Sequence, residues 1–176
     1  MPVHDQELSR PYVGRKIPAV MAALAGAAAI LWKAVGASAI PFVDGKSLAL
    51  YGWIGLGSAA GGMARFWCSG VAARWFGETF PWGTLAINVA GSFVIGFFAT
   101  MTGPEGRVFV SSTARQFVMV GICGGFTTFS SFSLQTLNLA NDGEWLQAGG
   151  NVCGSVLLCL AAVWAGHAAA AGLGAR

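Results

Sequence analysis

Gly121 to Ser133 reads G-I-C-G-G-F-T-T-F-S-S-F-S. It lies inside an apolar run, Gln116 to Leu139, that exceeds the roughly 20 residues a helix needs to cross a bilayer. An ordinary membrane helix is not built this way. Gly124-Gly125 weakens the helix at mid-span. Thr127, Thr128, Ser130, Ser131 and Ser133 then put hydroxyls at membrane depth. Phe126, Phe129 and Phe132 recur at every third position, so Phe129 and Phe132 share a helical face. Irregular backbone in hydrocarbon is tolerated only where it is buried in protein or lines a cavity. The stretch therefore predicts a helix broken at Gly124-Gly125, with a transport site around the break. Phenylalanines at this spacing, taken alone, favour plain core packing; the surrounding hydroxyls reverse that preference.

The rest of the chain agrees with a membrane setting. Of its 176 residues, 55% are hydrophobic and only 10% charged, with a mean hydropathy of +0.64; soluble domains carry about 25% charged residues. One domain suffices for this length. Glycine is abundant at 26 residues, as expected where helices pack backbone to backbone. The net charge of +3 is small and no basic cluster is dense enough for nucleic acid. Cys68, Cys123, Cys153 and Cys159 sit in apolar runs without a C-x-x-C, and neither His4 nor His167 completes a metal set, so they read as small core residues. No nucleophile–base pair appears, which argues against an enzyme.

Four membrane helices are expected in a domain over residues 47–171, with a tail at 172–176. Leu48–Gly70 is the first, and Gly57 and Gly61 form a G-x-x-x-G that puts a close helix contact on one face. Arg65 near its end reads equally as a snorkelling cation or as a positive entrance for an anion. Trp75, Phe76, Phe80 and Trp82 mark an interfacial belt around the connection Ala72–Pro81. Gly83–Thr102 is the second helix. Its Asn88 requires a partner at mid-membrane: either a helix–helix hydrogen bond or a permeating anion solvated by its NH₂. The polar third helix favours the anion. After a loop at Gly103–Arg115 and the broken third helix comes a polar turn, Asn141–Glu144. The fourth helix, Gln147–Ala171, has a second G-x-x-x-G at Gly150 and Gly154 and a track at Asn151, Ser155 and Cys159, four apart on one face. A lone serine in a membrane helix most often bonds its own backbone, which tempers the case for Ser155.

Residues 1–46 form an extension. Its first 16 residues are polar, and Ile17–Val43 is apolar with Lys33 as its charge. It admits three readings, a signal peptide, an interfacial helix or a further span, and the expectation here is a helix in or across the membrane.

The segments GGMAR at Gly61–Arg65, GTLAINVAGSF at Gly83–Phe93 and GGFTTFSSFS at Gly124–Ser133 resemble, in order and spacing, the Fluc (CrcB-type) fluoride channel family. The similarity covers about Leu48 to Gly166, and the third-helix motif is its most specific part. The resemblance implies an all-α, four-helix subunit with a broken third helix, paired with an identical copy as an antiparallel, dual-topology homodimer in the cell (inner) membrane. It implies a passive channel that exports cytoplasmic fluoride and so protects against fluoride toxicity, with a sodium ion held at the centre of the dimer. Position by position, the fluoride pathway would then comprise Arg65, Asn88, Phe129, Ser130, Phe132 and Ser155, and the backbone carbonyls of Gly124 and Thr127 would hold the sodium. The chain departs from the pattern at Asn151, where relatives often have Tyr, and at Cys159 and Val163, where some have Ser or Thr. The extension is also outside it.

Physical chemistry accommodates that reading. Aromatic ring edges carry positive partial charge, so Phe129 and Phe132 can meet an anion edge-on. Hydroxyls and an amide replace lost water, whereas a lysine at that depth would hold the ion too tightly. Two rival readings fit the sequence less well. A small proton-coupled multidrug exporter needs an intramembrane carboxylate, and Leu48–Phe76 and the cores of the other helices contain none. A non-transporting membrane subunit would explain the glycines but not the hydroxyl-lined break.

Overall fold

The computed structural model of the protein describes residues 45–174 apart from Glu78, together with Ala22, Ala25, Gly26, Ala27, Ala29 and Ile30. The chain divides into two compact units, Met1–Asp44 and Gly45–Arg176. In the first unit the six described residues are helical and exposed. The expectation that Ile17–Val43 enters or crosses the membrane otherwise lies outside the described residues.

The second unit is helical throughout its described elements. They are α1 (Gly45–Phe76), α2 (Trp82–Met101), α3 (Ser112–Gln116), a π-helical segment (Phe117–Cys123), α4 (Gly124–Phe126), α5 (Phe129–Asn141) and α6 (Trp145–Gly174). α3 through α5 follow one another as a single interrupted span. Among the described residues, three stretches are long and apolar enough to cross a membrane: Trp82–Met101, Ser112–Asn141 and Trp145–Leu173. α1 is not one of them. Its 32 residues extend ~48 Å at 1.5 Å per residue, well beyond the expected Leu48–Gly70, but its glycines and serines and Arg65 dilute its apolarity. The first of the four expected spans is therefore the one that composition alone does not carry.

The helix ends follow local chemistry. Gly77 (φ 73°) terminates α1, its N–H donating to the Ala73 carbonyl at 3.0 Å. α5 ends in a two-bond cap: the N–H of Gly143 (φ 83°) donates to Ala140 and that of Glu144 to Leu139. This uses carbonyls that the helix leaves open, and it needs a residue with positive φ. The polar turn expected at Asn141–Glu144 is this cap.

Packing within the unit rests on glycine. α1 lies against the π-helical segment and α4, and α2 lies against α6. A Cβ on Gly61 would run into the Ile122 carbonyl, and one on Gly125 would lie 2.5 Å from the Ser58 carbonyl oxygen. Gly57 and Gly61 thus interlock with Gly121 and Gly125, and the contact expected at the first G-x-x-x-G is present. The second one behaves otherwise. Gly150 and Gly154 face open space, and it is Gly166 that packs on α2, a Cβ there striking the Phe93 carbonyl. Outward faces carry large apolar side chains, among them Leu56, Met63, Phe66, Leu157 and Trp164, as a lipid-facing surface requires.

Candidate functional site

The interruption falls at Thr127-Thr128 rather than at Gly124-Gly125. Both glycines are helical, while Thr127 (φ −81°, ψ 158°) and Thr128 (φ −152°, ψ 113°) are extended. The physical reason lies 40 residues away. The Asn88 carboxamide grips the Thr128 peptide from both sides: its Nδ2 donates to the Thr128 carbonyl at 3.0 Å, and the Thr128 N–H donates to its Oδ1 at 2.7 Å. In a continuous helix that N–H would close onto the carbonyl of Gly124. Thr128 then caps α5, its Oγ1 accepting from the Ser131 N–H at 3.2 Å, the donor that would otherwise serve Thr127. Two redirected N–H groups thus relieve the Gly124 and Thr127 carbonyls of their ordinary helical donors. The Thr127 side chain turns back to the Cys123 carbonyl at 2.9 Å.

Around this interruption lies a cavity of about 440 Å³ between α2, the broken span and α6. Asn88, Gly124, Thr127, Phe129, Phe132 and Ser155 all line it. The two rings are in contact, with centroids 5.1 Å apart and planes inclined at 51°. Phe132 is 8% exposed and Phe129 76%, so the pair runs from the interior to the protomer surface. Asn88 stands in the cavity wall, but as a clamp on backbone; of the two readings open for it, the helix–helix hydrogen bond is present, and one N–H remains for anything else.

Two expected pathway residues lie apart. Ser130 is exposed, with its hydroxyl 3.3 Å from Thr128 Oγ1. Arg65 is half-buried on α1, the helix that packs against the π-helical segment, and does not line the cavity. Its neighbours Phe66 and Ser69 line a second cavity of about 840 Å³, with Thr79, Gln135, Asn138 and Gln147, where α5 ends and α6 begins.

Some contributors were not anticipated. Thr128 makes the clamp and the cap, whereas the sequence offers it only as one of the hydroxyls at membrane depth, with no sign of either role. Gly91 must lack a side chain because a Cβ there would collide with the Thr127 methyl. Behind Phe132 a hydrogen-bonded chain crosses from α6 to α5. Asn151, 2% exposed, donates from Nδ2 to Thr136 Oγ1 at 2.7 Å, and Thr136 donates to the Phe132 carbonyl at 2.8 Å. Ser155, 7% exposed, reaches Asn151 Oδ1 at 3.4 Å.

Comparison with known proteins identifies the family. The family described as CrcB-like protein, Camphor Resistance (CrcB), matches residues 52–167. A protein of Opitutus terrae named fluoride-specific ion channel FluC is 65% identical over 126 residues, 72% of this chain and 96% of that one. Proteins of the same name from Paramagnetospirillum magneticum (67% identical, 68% of this chain, 94% of that one) and Methylocella silvestris (62%, 68% and 92%) are similarly close. With a family match over most of its length and relatives covered nearly end to end, the chain belongs to the CrcB-like family.

Proposed function

We propose that this protein is a passive, fluoride-selective ion channel that exports cytoplasmic fluoride across the cell membrane and so protects against fluoride toxicity. The observation that carries the proposal is the composition of the cavity: a contacting phenylalanine pair beside Asn88, Thr128 and Ser155, with no Asp, Glu, Lys or Arg among the residues lining it. Neutral donors and ring edges give a strongly hydrated anion partial replacement for its water without a fixed charge to trap it. The same absence of a carboxylate from that wall disfavours a proton-coupled exporter. The relatives' name points to the same ion.

The functional unit is an antiparallel, dual-topology homodimer, with all four long helical stretches, α1 included, crossing the membrane. Phe129 and Gly124 both line the cavity and are exposed on the protomer, which suits a pathway completed by a second copy. A central sodium ion fits the donors. Gly124 and Thr127 offer carbonyl oxygens whose helical donors are diverted, and carbonyl oxygen is a hard ligand for a hard cation. When bound, sodium would supply a structural bridge between the two copies, and Asn88 would hold the Gly124 carbonyl available to it.

Fluoride efflux from liposomes holding the purified protein tests the proposal. Fast efflux without a proton gradient is expected, and efflux that depends on such a gradient, or none at all, would overturn it.

A further inference from the structure

Hydroxyls on these helices follow a common habit. Thr100, Thr102, Thr127, Ser133 and Thr136 each donate to the carbonyl four residues back, at 2.7–2.9 Å. That is the usual sink for a serine or threonine proton in a membrane helix. Ser155 departs from the habit. Its hydroxyl is directed to the side chain four residues back, Asn151 Oδ1, at 3.4 Å, a length at which a hydrogen bond is weak.

The orientation of Asn151 follows from its other partner. Thr136 has one proton and commits it to the Phe132 carbonyl, so its oxygen can only accept from Asn151. Asn151 must therefore present its NH₂ to Thr136 and its oxygen to Ser155. Asn151 itself does not line the cavity; Ser155 does.

We propose that Asn151 is a positioning residue for fluoride passage. It draws the Ser155 O–H away from the helix backbone and leaves it in a weak hydrogen bond, from which it can turn to donate a hydrogen bond to an anion in the cavity. The inference rests on the fluoride-channel reading.

The test is the fluoride concentration that half-saturates efflux, measured in liposomes for the wild type, Asn151→Leu, Ser155→Ala and the double variant. Without the carboxamide, the Ser155 hydroxyl falls back onto the carbonyl of residue 151. Asn151→Leu is expected to raise the half-saturating concentration about threefold, the scale of one modest hydrogen bond, and to add nothing in the Ser155→Ala background. Asn151→Ala, which removes the same group without adding bulk, should give the same shift if the leucine variant does not assemble. A shift of equal size in both backgrounds, or lower protein stability with an unchanged half-saturating concentration, overturns the proposal and leaves Asn151 a packing residue. Absence of efflux from the wild type overturns the channel reading itself, and this inference with it.

Discussion

Phe132 and Phe129 touch each other but stand in different surroundings, one buried and the other open on the protomer. Phe132→Ile removes the ring edge with a modest change of volume. The protein is expected to assemble while fluoride efflux falls roughly tenfold, the factor for about 1.4 kcal/mol of lost ion–ring interaction. Near-normal efflux from a well-folded variant would count against edge-on contact, and lost assembly would favour plain packing. Asn88→Asp keeps the acceptor for the Thr128 N–H but, ionised, sets an oxygen against the Thr128 carbonyl where a donor now stands. Efflux should collapse, and because a buried carbonyl is left unpaired the protein should lose about 1–3 kcal/mol of stability. Thermal unfolding in detergent alongside flux measures both; unchanged stability would mean that the clamp is dispensable.

At the scale of elements, two small-residue motifs of the same form behave differently. Gly57 and Gly61 are closed against backbone, whereas Gly150 and Gly154 meet nothing within the protomer. Gly61→Ala should cost about 1–3 kcal/mol through overpacking, since the atoms it meets are main chain and cannot swing aside. Gly154→Ala should leave the fold of the protomer intact. Size-exclusion profiles and melting curves of the two variants discriminate, and equal tolerance of both would contradict the packing described. The spacing of each motif was legible in the chain, but which one meets a neighbour depends on how α1 and α6 are rotated in the bundle, and a four-residue repeat does not encode that rotation.

For the whole molecule, the distribution of charge raises a question of orientation. With four spans, the N-terminus, the 103–115 loop and the C-terminus share a side that carries Arg10, Arg15, Lys16, Lys33, Lys46, Arg107, Arg115 and Arg176, against Arg74 with Arg65 at the boundary. Such a bias fixes one orientation, whereas an antiparallel pair of identical chains needs both. If residues 17–40 also span, Arg10, Arg15 and Lys16 change sides and the bias nearly vanishes. The expected result is that Ser9→Cys and Ser47→Cys label from opposite sides of vesicles, in a fixed-orientation variant without the native cysteines. Labelling of both from one side would sink the extra span.

The chain alone was enough to establish a membrane protein, the contact between Phe129 and Phe132, the close approach at Gly57 and Gly61, and a non-helical interruption in the third span. These are consequences of composition and of short-range periodicity, which place residues on faces. Only the tertiary structure decided where the interruption falls. Gly124-Gly125 has the weaker intrinsic helix propensity, yet the helix opens at Thr127-Thr128, because Asn88 on another helix competes successfully for the Thr128 N–H. It likewise decided that Asn88 holds backbone, that Ser155 forgoes its own helix for Asn151, and that Arg65 stands off the cavity wall. Each of these is a choice of partner across helices, made when the bundle closes, and local sequence specifies which groups need partners without specifying which they will find.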